Sequence, residues 1–172
     1  MIRSLLVVLA LVVGLIALVP RVDEVKQPPV DAAGAVAFAV KETRLPLLFP
    51  QPVPDGWSAT QARYAVFAEL PTWQVGWTTP AGSFVGIKQA VAVTLSWIDA
   101  ATVKSSVSGS QQIAGRTWEV RVDEHKQTHL VSAEPVTTAT GSATMTTVVS
   151  GTGGLDELRL FIGLLAPAAP SS

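Results

Sequence analysis

The sequence predicts an α+β protein: an N-terminal transmembrane helix, then one antiparallel β-sheet of about five or six strands with two helices packed on one face. Three observations lead to this fold class. The first 20 residues are mostly apolar and carry Arg3 as their only charge. From Trp57 onward, apolar and polar residues alternate as they do in strands. Two segments, one rich in Ala (residues 32–42) and one rich in Leu (residues 155–165), have apolar residues at helical spacing.

Residues 1–22 predict a transmembrane anchor. The run Leu5–Val19 is uncharged, and a helix over residues 2–22 would be about 31 Å long, enough to cross a hydrocarbon core of about 30 Å. No A-x-A-like cleavage site follows the run, which favours an anchor over a cleaved signal peptide or a buried core helix. Arg3 and Arg21 flank the run, and the charge pattern favours an N-terminus inside and a domain outside the cytoplasmic membrane.

A stalk and a first helix come next. Residues 23–30 contain a Pro pair and are predicted to be an extended linker. Asp31 is a suitable N-cap for a helix over Ala32–Glu42. Four prolines between positions 46 and 54 then interrupt the chain, and Asp55-Gly56 predicts a turn before Trp57.

The central segment predicts the sheet. Trp73, Val75 and Trp77 alternate with polar or small residues, so both Trp rings should lie on one face. Residues 80–82 predict a turn into a partner strand that begins at Phe84, which makes a hairpin. Residues 96–104 fit either a short helix or an irregular crossover, and the sequence does not distinguish the two. Three further strands rich in Thr and Val should form a meander, over Thr117–Val122, Thr128–Ala133 and Thr144–Ser150.

The last predicted element is a helix over Leu155–Leu165, in which apolar residues recur at helical spacing. Residues 31–166 therefore form one predicted extracytoplasmic domain. The tail from Ala166 contains two Pro and two Ser and should be frayed, and we assign residues 167–172 to a disordered end.

The composition argues against several functions. The chain has 12 Lys plus Arg against 13 Asp plus Glu, a formal net charge of −1, so it has no basic excess for binding a nucleic-acid backbone. It has no Cys, which excludes disulfides, thiol catalysis and cysteine-ligated metals. We expect neither a nucleic-acid partner nor a cofactor.

The two histidines, His125 and His129, are a weak candidate for a metal site. Two His at this spacing share a face of a helix in the zinc motif H-E-x-x-H. Here Lys126 replaces the Glu, and the segment predicts a turn between strands. On a continuous strand the two residues would lie about 13 Å apart. We therefore favour a solvent-facing turn with a cross-strand His over a metal site.

No catalytic residues are predicted. The chain has no G-x-S-x-G motif and no Ser three residues before a Lys. Residues 151–154 are Gly-rich, but Asp156 and Glu157 follow, and these favour the start of a helix and repel phosphate. Paired carboxylates stay open as an alternative because their pairing is spatial, and the candidates are Asp99, Glu119, Asp123 and Glu134.

The five Trp residues can either fill the core of the sheet or form a surface for stacking a ligand or anchoring a partner. Sequence favours core packing and leaves a binding role for at least one of them open. The binding candidates are Trp57, Trp73, Trp77, Trp97 and Trp118.

An ordered set of short motifs resembles the actinobacterial family catalogued as domain of unknown function 4245. The matching segments cover residues 50–57, 73–82, 84–89, 115–118 and 151–158. The resemblance extends over about residues 1–166. It implies a single-pass envelope protein of high-GC Gram-positive bacteria with no assigned activity, and it carries over no catalytic or ligand-binding residues.

These observations predict a membrane-anchored, non-enzymatic interaction domain. It would be an accessory or scaffolding subunit of a larger membrane or cell-envelope complex, with respiratory or wall-synthesis machinery as possible hosts. One alternative is a module that binds a glycan or lipid headgroup through exposed Trp residues. The other is a hydrolase built on dispersed carboxylates.

Overall fold

The computed structural model describes residues 30–170. The predicted anchor (1–22), nearly all of the predicted stalk and the last two residues lie outside this range. Within residues 30–170, none of the helices combines the length and the apolar character that a membrane span requires.

Helix α1 covers Ala32–Thr43, one residue more than the sequence predicts. Asp31 is its N-cap, as predicted, and Asp31 Oδ1 accepts a hydrogen bond of 2.8 Å from the backbone N–H of Gly34. The helix ends where Arg44 adopts a left-handed conformation with φ of 57°. Its buried side consists of Ala32, Val36, Ala39 and Val40.

The main sheet has seven antiparallel strands rather than five or six. They are β2 (Ser58–Phe67), β3 (Leu70–Thr78), β4 (Phe84–Val91), β5 (Ser106–Ile113), β6 (Arg116–Val122), β7 (Thr128–Thr138) and β8 (Gly141–Gly151). Their order across the sheet is β2-β3-β4-β8-β7-β6-β5. The predicted hairpin β3–β4 and the predicted meander β6–β7–β8 are confirmed.

A second, two-stranded sheet joins distant parts of the chain. Its strands are β1 (Leu48–Pro50) and β9 (Leu165–Pro167), which pair antiparallel. Helix α3, over Leu155–Gly163, therefore ends two residues earlier than predicted. The prediction of a frayed tail from residue 166 is wrong for its first two residues, because backbone pairing with β1 orders them.

The two faces of the main sheet carry separate cores. Val149 belongs to the larger one, the main core, together with buried residues of α1 and α3, so the two predicted helices do share one face. Its neighbour Val148 points to the other face and packs with Trp97 and Ala101 of helix α2, over Leu95–Ala101. Residues 96–104, which fit either a short helix or an irregular crossover, therefore include most of a short helix. This helix covers part of the opposite face of the sheet.

Candidate functional site

Four of the five Trp residues belong to the two cores. Trp73, Trp77, Trp97 and Trp118 are at most 1% exposed. As candidates for a binding surface these four are wrong, and the alternative of core packing is correct for them, because a small sheet needs large apolar side chains to fill its interior. Trp57 alone of the five is partly exposed.

The predicted turn at Asp55-Gly56 positions Trp57. Gly56 has φ of 78°, in the left-handed region that glycine adopts without strain. The backbone N–H of Trp57 donates to the carbonyl of Pro54 at 3.2 Å. The indole then stacks on Phe161 of α3, with ring centroids 5.9 Å apart and planes 6° from parallel. Phe161 in turn contacts Trp77 at 5.3 Å, so Trp57 continues the aromatic core outward.

A cleft of about 620 Å³ lies beside Trp57, within the size range of small-molecule sites. It is bounded by the start of α1, the start of β2 and aromatic residues of the main core. Its apolar lining residues are Val30, Ala32, Ala33, Phe49, Val53, Trp57, Ala59 and Trp77, and its polar lining residues are Asp31, Ser58 and Thr60.

A second feature is a hydrogen-bonded chain of polar side chains on the sheet face that carries α2. His129 Nδ1 lies 2.7 Å from Ser150 Oγ, and His129 Nε2 lies 3.4 Å from Asp123 Oδ2. Asp123 Oδ1 accepts two further hydrogen bonds of 2.8 Å, from the backbone N–H groups of His125 and Gln127. These hydrogen bonds therefore connect the predicted turn at residues 123–127 to the sheet.

The electrostatics of the His129–Asp123 pair favour a neutral imidazole beside an ionised carboxylate. Burial raises the pKa of Asp123, but hydrogen bonds from Gln127, His129 and His125 outweigh it, so the net pKa is lower than usual. Burial lowers the pKa of His129. Asp123 opposes that change, and the charges of Lys88 and Arg121 add to it.

This arrangement was not predicted from the sequence. Its order of hydroxyl, imidazole and carboxylate resembles that of serine hydrolases, with the two ring nitrogens exchanged. Four of the cavities formed by residues 30–170 have linings that do not include Ser150. The one available signal was Asp123 at the start of a polar turn, where an Asp side chain commonly accepts from backbone N–H groups further along.

The two histidines have different environments. The His125 side chain is 69% exposed, whereas that of His129 is 3% exposed and uses both ring nitrogens within the protein. Among the described residues, no group of three or more His, Asp or Glu side chains is arranged to hold a metal ion. His129 is the predicted cross-strand His, paired with Ser150 on β8 and Arg121 on β6.

The four candidate carboxylates are dispersed. Glu119 pairs with Arg121 at 2.7 Å, and Glu134 pairs with Arg116 at 3.2 Å. Asp123 belongs to the turn, and Asp99 lines a cavity on the side of α2. Four of the cavities formed by residues 30–170 are each lined by at most one of these four residues.

The Gly-rich segment 151–154 leads into α3, as the sequence predicts. Asp156 and Glu157 lie in the first turn of α3, where acidic side chains complement the helix dipole. Glu157 also accepts a hydrogen bond of 2.7 Å from Ser83 Oγ. The segment therefore places negative charge where a phosphate would have to bind.

The third feature is the open edge of the main sheet. Strand β5 is the last strand on its side, and six of its eight residues are exposed. It contains no charged residue and no Pro. The side chain of Gln111 accepts from Arg159 of α3 at 2.7 Å, which fixes the strand against the domain.

The opposite edge is protected. Strand β2 has α1 packed against it, a bulge at residues 59–61 and the charged residue Arg63. Natural sheets use such devices to prevent pairing with other chains. Strand β5 has a bulge between Val107 and Gly109 and contacts α3, but it has no charged residue, and residues 109–113 keep a regular register.

Comparison with known proteins identifies the family and nothing narrower. Searches of curated proteins and of solved structures found no match to this chain. The model of the family described as protein of unknown function (DUF4245) matches residues 1–165. We conclude that the chain belongs to the DUF4245 family.

Proposed function

We propose that this protein is a membrane-anchored interaction domain that binds an extended segment of a partner protein along β5. The apolar segment 5–19 supplies the anchor, and the domain lies on the outer side of the cytoplasmic membrane. In this role the protein is a non-catalytic accessory or scaffolding subunit of a larger membrane or envelope complex. The open, uncharged edge of the main sheet is the observation that supports the proposal most directly.

An edge strand presents a row of backbone N–H and C=O groups that have no partner on the outer side. Because these groups bond equally well to any extended chain, an unprotected edge is a site for strand addition. Strand β5 has no charged residue, whereas β2 contains Arg63, and this contrast supports a specific use for the β5 edge. Residues 109–113 offer five residues in regular register, about 17 Å of strand.

The chemistry of β5 also describes its partner. Most of the exposed residues of β5 are Ser, Gly or Gln, and Val107 is an exposed apolar residue. A partner strand therefore gains its affinity mainly from backbone hydrogen bonds, with one apolar side chain near Val107. Such a segment should be extended, mostly uncharged, and free of Pro at the paired positions.

The test is a pull-down of tagged full-length protein from native membranes in mild detergent, with mass spectrometry of the proteins that come along. The edge variant carries Ser110→Lys and Gln112→Lys, because Lys on an edge strand opposes further pairing. Both residues are exposed, so the fold should be retained. The matched control is Ser142→Lys, an exposed position at the distant β7–β8 hairpin.

We expect a near-stoichiometric partner with the wild type and with Ser142→Lys, and its loss with the edge variant. Equal recovery from all three proteins would overturn the role of β5. Co-expression of two differently tagged copies tests self-pairing: if one tag recovers the other and the edge variant abolishes this, β5 joins two copies of this chain and the accessory-subunit proposal fails.

A further inference from the structure

We infer that the cleft beside Trp57 binds one acyl chain of a membrane phospholipid. The cleft shares the predicted anchor with the proposed function but not strand β5. Its lining is apolar over eight of the eleven residues that bound it, and two of those eight are Trp. An apolar ligand is the one whose transfer from water such a lining favours.

The polar residues of the cleft do not suit a charged or a sugar ligand. Asp31 is its one charged residue, and the Asp31 carboxylate is already the N-cap of α1, bonded to Gly34 at 2.8 Å. A negatively charged headgroup would meet a like charge there. Ser58 and Thr60 offer two hydroxyls, whereas a glycan presents many hydroxyl groups that would each need a partner when buried.

The wall formed by Trp57 is preorganised. The ring is held nearly parallel to Phe161, and Phe161 is itself fully buried. An acyl chain that enters the cleft therefore packs against a fixed aromatic surface, and it need not order the Trp57 side chain first. Preorganisation of this kind lowers the entropic cost of binding.

The position of the cleft in the chain brings it within reach of the bilayer. Val30 lines the cleft, and seven residues lie between it and Val22 at the end of the predicted anchor. The eight Cα–Cα steps from Val22 to Val30 extend at most about 29 Å. A lipid of the outer leaflet can therefore place one chain in the cleft while its headgroup stays near the membrane surface.

The experiment measures quenching of Trp fluorescence in full-length protein in detergent by a phospholipid brominated on its acyl chains. We expect saturable quenching in the wild type and less quenching in Trp57→Phe, in which Trp77 is the one Trp that still lines the cleft. Ala33 lines the cleft and is exposed, so Ala33→Phe should fill the cleft and weaken binding at least five-fold without unfolding the domain.

Val66→Phe is the matched control. Val66 is 73% exposed at the far end of β2, so this variant should bind like the wild type, and the melting temperatures of all variants check that they fold. Equal quenching in Ala33→Phe and in the wild type would overturn the inference. The quenching would then come from general proximity of the Trp residues to the micelle. Quenching by a brominated free fatty acid but not by the phospholipid would also overturn it. Because β5 is untouched in every variant, partner recovery in the pull-down is an independent result.

Discussion

At the scale of single residues, Trp73 and Trp97 differ in one hydrogen bond. Both side chains are fully buried. Trp97 Nε1 donates to Thr72 Oγ1 at 2.9 Å, whereas Trp73 Nε1 is a buried donor with no hydrogen-bond partner among the described residues. Trp73→Phe removes an unsatisfied group, while Trp97→Phe removes a satisfied one.

We therefore expect Trp97→Phe to reduce the free energy of unfolding by about 1–3 kcal/mol more than Trp73→Phe. The two substitutions remove the same atoms, so each is the other's control for lost volume. Denaturant unfolding of both variants measures the difference. An equal loss of stability would mean that Trp73 Nε1 has a hydrogen-bond partner after all.

The His129–Asp123 pair predicts how stability responds to acid. The lowered pKa of folded His129 means that the unfolded chain binds more protons as the pH falls below about 6.5, so stability drops in that range. The lowered pKa of Asp123 adds stability above about 3.8 that is lost as the pH falls through its folded value. Both effects make the protein less stable in acid.

The melting temperature should therefore fall in two steps, one beginning near pH 6.5 and one below about pH 4. His129→Gln retains a donor and an acceptor for Asp123 and Ser150 and should remove the first step only. His125→Gln removes an exposed imidazole from the same turn and should follow the wild-type curve. If His129→Gln leaves the first step unchanged, another group is responsible for it.

At the scale of elements, helix α3 packs on the main core through three buried residues, of which Phe161 has the largest side chain. Its ring is fully buried and contacts both Trp57 and Trp77. Phe161→Ala should lower the free energy of unfolding by about 3–5 kcal/mol, through lost burial and the cavity left behind. The neighbouring Leu160 is 59% exposed, so Leu160→Ala should change stability by at most about 0.5 kcal/mol. Thermal or denaturant unfolding of the pair distinguishes packing from helix propensity.

Elements with a strong local signal were predictable. The N-cap at Asp31, the Trp73–Trp77 alternation and the apolar stripe of α3 each depend on residues close together in sequence, and each is observed at or near its predicted bounds. The site was less predictable. Four Trp residues proved to be core, because one sequence cannot say which face of a strand is covered, and the cleft needs β2 and α1 to be placed side by side.

Strand β5 shows why other elements were missed. Its sequence is Ser-Val-Ser-Gly-Ser-Gln-Gln-Ile, which has neither apolar alternation nor β-branched density. Neighbouring strand β6 pairs with it over its full length, so tertiary context overrides weak local preference. The pairing of β1 with β9 is similarly invisible in sequence, because it joins Leu48 to Pro167 through contacts with no local pattern.

At the scale of the whole molecule, the β1–β9 pair connects the last residues of the domain to its first third. The backbone N–H of Ala168 donates to Leu47, and that of Gln51 donates to Leu164, each at 2.8 Å. Deleting residues 165–172 removes the Ala168 hydrogen bond and the backbone pairing of β1 with β9. This should reduce the free energy of unfolding by at least about 2 kcal/mol, at about 1 kcal/mol per net hydrogen bond.

Deleting only residues 169–172 keeps β9 and serves as the control, with a melting temperature equal to that of the full chain. Thermal unfolding of both truncated proteins measures the contribution of the pair. If the protein that lacks residues 165–172 melted at the same temperature as the full chain, other contacts would have to hold β1 in place.

The two candidate surfaces lie at opposite ends of the strand order, the cleft beside β2 and the open edge at β5. Helix α3 nevertheless contacts both. Phe161 stacks on Trp57 in the wall of the cleft, and Arg159, two residues earlier, donates to Gln111 of β5. The two surfaces therefore share one support, and a change that shifts α3 reaches both of them at once.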